Sequence, residues 1–153
     1  MDNDLKIRSY KAEDALVLME NPNEPGLKGQ PYCERWARLN EEEGVGFTAV
    51  YQGRIVSCGG VRIYWKGCGE AWFITLKGIG QFHIDPQIAK TQLYKIIKEH
   101  NLQRVQITPA CNWVPGLSYA RWLGFRVEGK MRKYLPGNNC ELVDCYMMSI
   151  VKE

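Results

Sequence analysis

The sequence predicts one mixed α/β domain that spans residues 1–153, with a twisted central sheet and helices on both faces. Three observations support this prediction. Segments with the alternating or continuous apolar patterns of strands are interleaved with segments of helical periodicity. No repeat, low-complexity tract or linker divides the chain. The length of 153 residues, with 45% hydrophobic and 24% charged side chains, is that of an ordinary soluble domain with a sizeable core.

The N-terminal part of the chain predicts one strand followed by two helices. Residues 5–10 alternate apolar and polar side chains, as a half-buried strand does. Residues 11–20 are predicted to be a helix, because acidic side chains lie near its start and apolar ones follow at helical spacing. Residues 21–31 are rich in proline and glycine and are predicted to be a loop, and residues 32–43 are predicted to be the second helix.

The middle of the chain predicts a hairpin and a third strand. Residues 47–51 and 54–63 are strand-like and are joined by a Gln-Gly pair, a two-residue turn that suits antiparallel strands. Residues 70–76 form a continuous apolar run, which is typical of a strand that is covered on both faces. A Gly-x-Gly segment at 78–80 ends that strand.

The rest of the chain predicts two helices and three strands. Asp85 is a good N-cap and Pro86 is tolerated in a first helical turn, so residues 86–100 are predicted to be a helix. The remaining elements are, in order, a strand at 104–108, a short helix that begins at Pro115 and ends at Gly124, and strands at 125–128 and 143–151.

Composition argues against several functional classes. No apolar run approaches the roughly 20 residues that span a bilayer, and residues 1–4 lack the basic start and apolar core of a secretory signal. We therefore expect a cytoplasmic protein without a membrane partner. The net charge of +3 is too small to indicate a nucleic-acid partner. The basic run at 126–133 is interpreted as a solvated hairpin, and a nucleic-acid-binding domain that uses this run is the last-ranked hypothesis.

Six cysteines are spread along the chain without a C-x-x-C pair, and only His83 and His100 accompany them. Zinc sites need closely spaced ligand pairs, so no metal site is predicted. Cys58 and Cys145 lie in strand-like sequence and are interpreted as small buried hydrophobes. A nucleophilic cysteine is not expected, because neither histidine lies in a recognisable partner motif.

Residues 112–129 carry the most specific motif in the chain. They read N-W-V-P-G-L-S-Y-A-R-W-L-G-F-R-V-E-G, which resembles the N-x6-Y…LGF-x-x-x-G signature of the GNAT superfamily of N-acetyltransferases. The predicted order of elements resembles the same fold over nearly the whole chain. The resemblance implies transfer of an acetyl group from acetyl-CoA, as cosubstrate, to a primary amine by direct attack in a ternary complex.

The resemblance also implies roles for particular residues. Glu70, at the start of the 70–76 run, matches the catalytic glutamate that serves as the base in some family members. Tyr119 matches the acid that protonates the CoA thiolate. The residues expected to bind acetyl-CoA are Ile74, Thr75, Leu76, Lys77, Gly78, Gly80 and Asn112.

A physical argument explains why such a site works. Acyl transfer from a thioester needs a neutral amine, stabilisation of the oxyanion and protonation of the thiolate. Two parallel strands that splay apart leave backbone N–H groups unpaired, and these groups can bind the thioester carbonyl and the developing oxyanion. The gap is expected between the segments 74–76 and 105–107.

Three of these residues also have structural interpretations. Glu70 is equally well read as a strand-end carboxylate in solvent. Tyr119 follows Asn112 at the family's spacing, but counting back from Gly124 puts the family's tyrosine at Ala120, so Tyr119 is also read as a core or surface aromatic. Asn112 is also read as the N-cap of the short helix.

The phosphate-binding motif of the family, R/Q-x-x-G-x-G/A at the start of the central helix, is absent. Residues 77–81 have the glycines but precede the helix, whereas residues 87–92 lie at its start and have none. Either the 77–81 segment folds over the pyrophosphate, or the chain is a non-enzymatic binding or structural protein of the same fold. Small GNAT-like proteins of the second kind resemble some that tailed bacteriophages encode.

The acceptor is expected to be a small-molecule or peptide amine. Tyr64 and Trp65 follow the second hairpin strand and are expected to line an acceptor groove with the 25–31 loop, although a plain turn is an equal alternative. The sequence does not determine the oligomeric state, of which a homodimer is one option.

Overall fold

The structure is a computed structural model that describes residues 4–24, 33–137 and 141–153. Within these ranges the helices and strands are, in chain order, β1 Leu5–Ser9, α1 Ala12–Leu18, α2 Cys33–Glu42, β2 Gly44–Tyr51, β3 Arg54–Trp65, β4 Cys68–Thr75, α3 Gln87–Glu99, β5 Arg104–Ile107, α4 Val114–Leu123, β6 Arg126–Pro136 and β7 Leu142–Val151. A short 3-10 turn, Ile79–Phe82, lies between β4 and α3.

The strands of the described part of the chain form a seven-stranded sheet in the order β1-β2-β3-β4-β5-β7-β6. Neighbouring strands are antiparallel except for β4 and β5, which are parallel. The mixed sheet and the order of its elements confirm the predicted fold class.

Helices cover both faces of this sheet. On one face, Leu18 of α1 and Ala37 of α2 share a hydrophobic cluster with Val56 of β3. On the other face, α3 and α4 enclose a second cluster, in which Leu93 of α3 is buried together with Val105 of β5. Because side chains alternate along a strand, β4 contributes to both clusters. This central strand is therefore in contact with both helical layers.

Two turn positions predicted from the sequence are confirmed. Gln52 and Gly53 both have positive φ values, 50° and 79°, as a two-residue hairpin turn between twisted strands requires. Gly124 ends α4 with a φ of 112°. A Cβ atom at that position would collide with the hydroxyl of Tyr94, which donates a hydrogen bond to the carbonyl of Leu123 at 2.7 Å. Glycine is therefore needed there for both backbone conformation and space.

Strand β6 extends well beyond the predicted 125–128. Its added residues are mostly polar and exposed, so they carry no apolar strand pattern. Backbone pairing with β7 makes them a strand, with irregularities in register after Val127 and after Met131. The basic run lies on this exposed β6–β7 ladder, as the interpretation of a solvated hairpin predicts.

A buried carboxylate ties β1, α1 and β2 together. Asp14, only 1% exposed, accepts hydrogen bonds from the guanidinium of Arg8 at 2.7 and 2.8 Å and from the hydroxyl of Thr48 at 2.7 Å. The backbone N–H of Lys11 donates to the same carboxylate at 2.9 Å. Burial alone would raise the pKa of Asp14, but these donors outweigh it and hold the pKa below its usual value.

The cysteine interpretation is confirmed for the two strand residues, since Cys58 and Cys145 are buried with free thiols. Cys140 lies outside the described residues. In the described ranges, no three His, Cys, Asp or Glu side chains are grouped as a metal ion requires. The helices of those ranges are all too short or too polar to cross a bilayer.

Candidate functional site

The central feature of the site is a gap between β4 and β5. The two strands pair in parallel from Cys68 opposite Arg104 to Glu70 opposite Gln106, and the pairing stops there. Strand β4 nevertheless continues to Thr75. The strands therefore diverge at the place where the sequence predicted a gap.

The direction of each backbone N–H along β4 follows from its pairing with β3. The N–H of Leu76 donates to the carbonyl of Val56 at 2.9 Å, so it faces β3. Because N–H directions alternate along an antiparallel strand, the N–H of Ile74 also faces β3, whereas those of Phe73 and Thr75 face the gap. Two backbone donors therefore point into the gap.

The residues predicted to bind the cofactor differ in how they face the gap. Thr75 directs its N–H into the gap, whereas Leu76 uses its own N–H in the sheet and does not line the cavity. Ile74 contributes its side chain to the cavity wall, without a free N–H. The second donor, Phe73, was missed, because the sequence shows a run of apolar residues but not which of their N–H groups face the neighbouring strand.

A cavity of about 450 Å³ occupies the gap and extends to both faces of the sheet. Trp36 of α2 and Glu24, which follows α1, line it on one side. Ala89 of α3 and Tyr119 of α4 line it on the other side. A ligand that lies in the gap can therefore be reached from both helical layers.

The charged side chains among the described lining residues are all acidic. They are Glu24, Glu70 and Asp85, and no lysine, arginine or histidine of the described chain joins them. Three carboxylates without a compensating cation favour a positively charged ligand and disfavour an anion. The apolar and aromatic remainder of the wall suits a carbon skeleton.

Glu70 lies at the last paired position before the gap and is held there by a chain of hydrogen bonds. The side-chain amide of Gln106 donates to Glu70 at 3.1 Å. Arg104 donates to the oxygen of the same amide at 3.1 Å and also binds Glu128 through two nitrogens. Because Arg104 fixes which end of the amide faces Glu70, the carboxylate is positioned at the cavity wall.

Tyr64 is close enough to Glu70 to feel its charge. Burial, and then the charge of that carboxylate, raise the pKa of Tyr64 to about 12. Tyr64 and Trp65 were predicted to follow the second hairpin strand, but they belong to it, because β3 extends to Trp65. Trp65 is 68% exposed. The predicted partner of this pair, the 25–31 loop, lies outside the described residues.

Tyr119 lines the cavity from α4 and is half-buried. Its ring stacks on Phe73, with centroids 5.6 Å apart, and on Trp122, with centroids 5.7 Å apart. Burial raises the pKa of Tyr119 to about 12, so its hydroxyl stays protonated at neutral pH. Ala120 also lines the cavity, so both positions that the motif allows for the tyrosine border the same space.

Three other predicted residues lie away from the cavity wall. Asn112 does not line the cavity, and it is not the N-cap of α4 either, because Trp113 holds that position. The N–H of Lys77 is bound by the carbonyl of Asn21 at 2.9 Å. Gly78 begins the 3-10 turn, with a φ of 78°. Of the predicted loop residues, Gly80 does line the cavity.

The 77–81 segment does not form an open cradle for phosphate. In the 3-10 turn, the N–H groups of Ile79, Gln81 and His83 each donate to the carbonyl three residues earlier in the chain. Groups that are satisfied in this way are not directed at a ligand. The prediction that this loop folds over a pyrophosphate therefore finds no support in its hydrogen bonds.

The N-terminus of α3 has an acidic side chain beside it. The N-cap position belongs to Pro86 and not to Asp85 as predicted, but the carboxylate of Asp85 accepts the N–H of Gln87 at 2.9 Å. A helix N-terminus attracts anions, and in this protein the attracted anion is already part of the chain. The start of α3 therefore already carries a negative charge, which disfavours a phosphate at that helix end.

Glu24 is the functional candidate that the sequence did not reveal. It lines the cavity and is the last residue of the first described range, 4–24. Burial raises the pKa of Glu24 to about 7. The surrounding Asn-Pro-Asn-Glu-Pro-Gly sequence is typical of a solvent-exposed loop, so no local pattern indicates a desolvated carboxylate.

Comparison with solved structures identifies the fold. Ribosomal-protein-S5-alanine acetyltransferase from Vibrio fischeri is 17% identical, with a TM-score of 0.71, and the match covers 99% of this chain and 94% of that one. A GNAT-family acetyltransferase from Bacillus anthracis is 18% identical, with a TM-score of 0.69 and coverage of 99% and 96%. A variant of spermidine N-acetyltransferase from Vibrio cholerae is 12% identical, with a TM-score of 0.70 and coverage of 97% and 94%.

No protein-family profile matches the sequence, and no curated protein matches it at a significant level. The structural likeness is nevertheless nearly complete in length, and the chain therefore has the GNAT fold. This confirms the fold that the resemblance of the 112–129 motif implied.

Proposed function

We propose that this chain is an N-acetyltransferase that moves an acetyl group from acetyl-CoA to a primary amine by direct attack in a ternary complex. The observation that carries the proposal is the divergence of β4 from β5 beyond Glu70 and Gln106, with the N–H groups of Phe73 and Thr75 directed into the cavity. The GNAT fold supports the same reaction class.

In this proposal, the backbone donors of β4 bind the thioester carbonyl oxygen. Negative charge develops on that oxygen as the amine attacks, so fixed donors stabilise the transition state more than the substrate. The cavity is largely apolar, which strengthens such hydrogen bonds relative to water. Phe73 and Thr75 are therefore assigned as the oxyanion donors.

Two side chains complete the proposed machinery. Tyr119 keeps its proton at neutral pH and borders the cavity, so it is assigned as the acid that protonates the departing thiolate. Glu70 is fixed by Gln106 at the cavity wall, and it is assigned as a carboxylate that binds the acceptor amine. The proposed acceptor is a small-molecule or peptide amine, and the proposed location is the cytoplasm.

The acidic cavity supports an amine that arrives as a cation. Relatives in fold are named for two such acceptors, the alanine of a ribosomal protein and spermidine. Both carry a primary ammonium group, which is the feature that the three carboxylates of this cavity can recognise.

The proposal is tested by mixing the protein with acetyl-CoA and a panel of polyamines, aminoglycosides and peptides, and by measuring the release of free thiol. We expect turnover with at least one amine and micromolar binding of acetyl-CoA by calorimetry. No thiol release with the panel, together with no heat at millimolar acetyl-CoA, would contradict it.

A second candidate function is a binding protein of the same fold without catalysis. One observation favours it, namely that Asp85 places a carboxylate at the N-terminus of α3. That charge opposes the binding of a pyrophosphate at the same helix end. Calorimetry separates the two functions, since a protein that has lost acetyl-CoA gives no heat.

The Asp85→Asn variant is expected to bind CoA and acetyl-CoA about 5- to 10-fold more tightly than the natural protein, because it removes a negative charge from the helix N-terminus. Asparagine still caps the helix, so the fold is retained. The check is calorimetric titration with CoA. S-acetylpantetheine, which has no phosphate, should bind both proteins equally, and Glu99→Gln at the other end of α3 should change neither affinity. Equal gains for both ligands would argue against the electrostatic explanation.

A further inference from the structure

We propose that Glu24, which the mechanism above does not use, is the residue that takes the proton from the acceptor ammonium. This inference rests on the proposed function and assigns the base within it. Glu70 then has a different task, which is to hold the positive charge of the incoming amine.

The backbone places Glu24 beside the donor strand. The N–H of Asn23 donates to the carbonyl of Thr75 at 2.9 Å, and Pro22 forms an isolated antiparallel bridge with Leu76. Because the carbonyl of Thr75 points away from β3, the 21–23 segment lies on the gap side of β4. Glu24 is thus one residue from a hydrogen bond to the residue that offers an oxyanion donor.

Among the described residues, nothing occupies the carboxylate of Glu24, which leaves it available to a ligand. Glu24 lines the cavity, and none of the described residues gives its carboxylate a hydrogen bond or an ion pair. The other ionisable groups on the wall are Glu70 from β4, Asp85 before α3 and Tyr119 from α4, and none of these is a cation. The raised pKa of Glu24 has burial as its cause, without a contribution from a charged neighbour.

These properties are those of a general base. A base works best when its pKa lies near the operating pH, because it is then both largely ionised and able to hold a proton. Glu24 meets this condition through desolvation. Glu70 instead has an oxygen bound by the amide of Gln106, which fixes the carboxylate at the cavity wall and suits it to bind a cation.

The proton balance of the reaction is complete with Glu24 in this role. Glu24 takes one proton from the ammonium, and the neutral nitrogen then attacks the thioester carbon. The C–N bond forms, the C–S bond breaks, and the nitrogen loses a second proton while the thiolate gains one. Glu24 returns its proton to solvent, so the products are an amide, a thiol and one proton.

The test compares pH profiles of kcat/KM for the natural protein and for Glu24→Gln, with acetyl-CoA and the best amine of the panel. The natural protein should show an acidic limb with a midpoint near the pKa of Glu24, about 7. Glu24→Gln should lose about 100- to 1,000-fold in kcat/KM at neutral pH. It should recover activity steadily as the pH rises, because solvent then deprotonates the amine. The control is Glu20→Gln, which replaces an exposed carboxylate in the preceding turn and should behave as the natural protein does.

A second measurement needs no activity. A carboxylate whose folded pKa lies above its unfolded value of 4.5 stabilises the fold below that value, and this contribution is lost as the pH rises through about 7. Glu24→Gln should therefore melt several degrees higher than the natural protein at pH 8 and at nearly the same temperature at pH 4, which is below the unfolded pKa of 4.5.

The outcomes separate this inference from the function on which it rests. Turnover by the natural protein with the same acidic limb in Glu24→Gln would overturn the role of Glu24 and leave the acetyltransferase proposal standing. A difference in melting temperature that does not change with pH would also overturn it. The absence of turnover by the natural protein would remove the proposed function, and the assignment of Glu24 with it.

Discussion

A Thr75→Pro variant is expected to lose acetyl transfer by about 100- to 1,000-fold while the protein remains folded, because proline removes one backbone donor from the gap. The N–H of Thr75 faces away from β3, so its loss breaks no hydrogen bond of the β3–β4 ladder. The measurement is kcat with saturating acetyl-CoA and amine, together with thermal melting.

Two controls make this result specific. Thr75→Ala keeps the N–H and should retain most of the activity. Ile74→Pro removes an N–H that faces β3, so it should unfold the protein instead of changing only kcat. If Thr75→Pro were as active as Thr75→Ala, the backbone of β4 would have no part in stabilising the oxyanion, and the observation that carries the proposed function would lose its meaning.

An Asp14→Ala variant is expected to lower the free energy of unfolding by about 3 kcal/mol, because it strips three donors of their buried acceptor. Arg8, Thr48 and the N–H of Lys11 all bind this carboxylate. The check is a urea titration at neutral pH. Glu13→Ala, an exposed acid in the same helical turn, should change stability by less than about 0.5 kcal/mol.

The same residue predicts a pH dependence of stability. Hydrogen bonds hold the folded pKa of Asp14 below its unfolded value of 3.8. The carboxylate therefore stabilises the fold fully above about pH 4, and this stabilisation is lost as the pH falls through the folded pKa. The loss should be smaller in Asp14→Ala, so the two proteins should converge in stability under strongly acidic conditions. A constant difference down to pH 2 would argue against a charged Asp14.

The fold was predictable because its signals are local. The Gln-Gly turn, the glycine at the end of α4 and the Asp-Pro start of α3 each specify a backbone conformation over a few residues. Strand β6 is the exception, since most of its residues are polar and only pairing with β7 makes them a strand. Local patterns therefore predicted elements well wherever side chains, rather than a neighbouring backbone, define them.

The candidate site was predictable in part. The segments that flank the gap, and Glu70, Thr75 and Tyr119 on its walls, were all found from the sequence. The sequence also predicted Leu76, Lys77 and Asn112 at the site. The N–H of Leu76 instead binds Val56, and the N–H of Lys77 binds Asn21. Asn112 does not line the cavity. Neighbours in sequence share a segment, but their N–H groups and side chains point in different directions.

By itself, the sequence determined the order of strands and helices, the turns between them and the strand at which a gap opens, because periodicity and turn chemistry act over short distances along the chain. Only the tertiary structure decided which N–H groups face that gap and that Glu24 lies desolvated beside it. Both depend on contacts between segments that are distant in sequence, such as that of Asn23 with Thr75, and the burial of a charge is a property of its surroundings rather than of the residue that carries it.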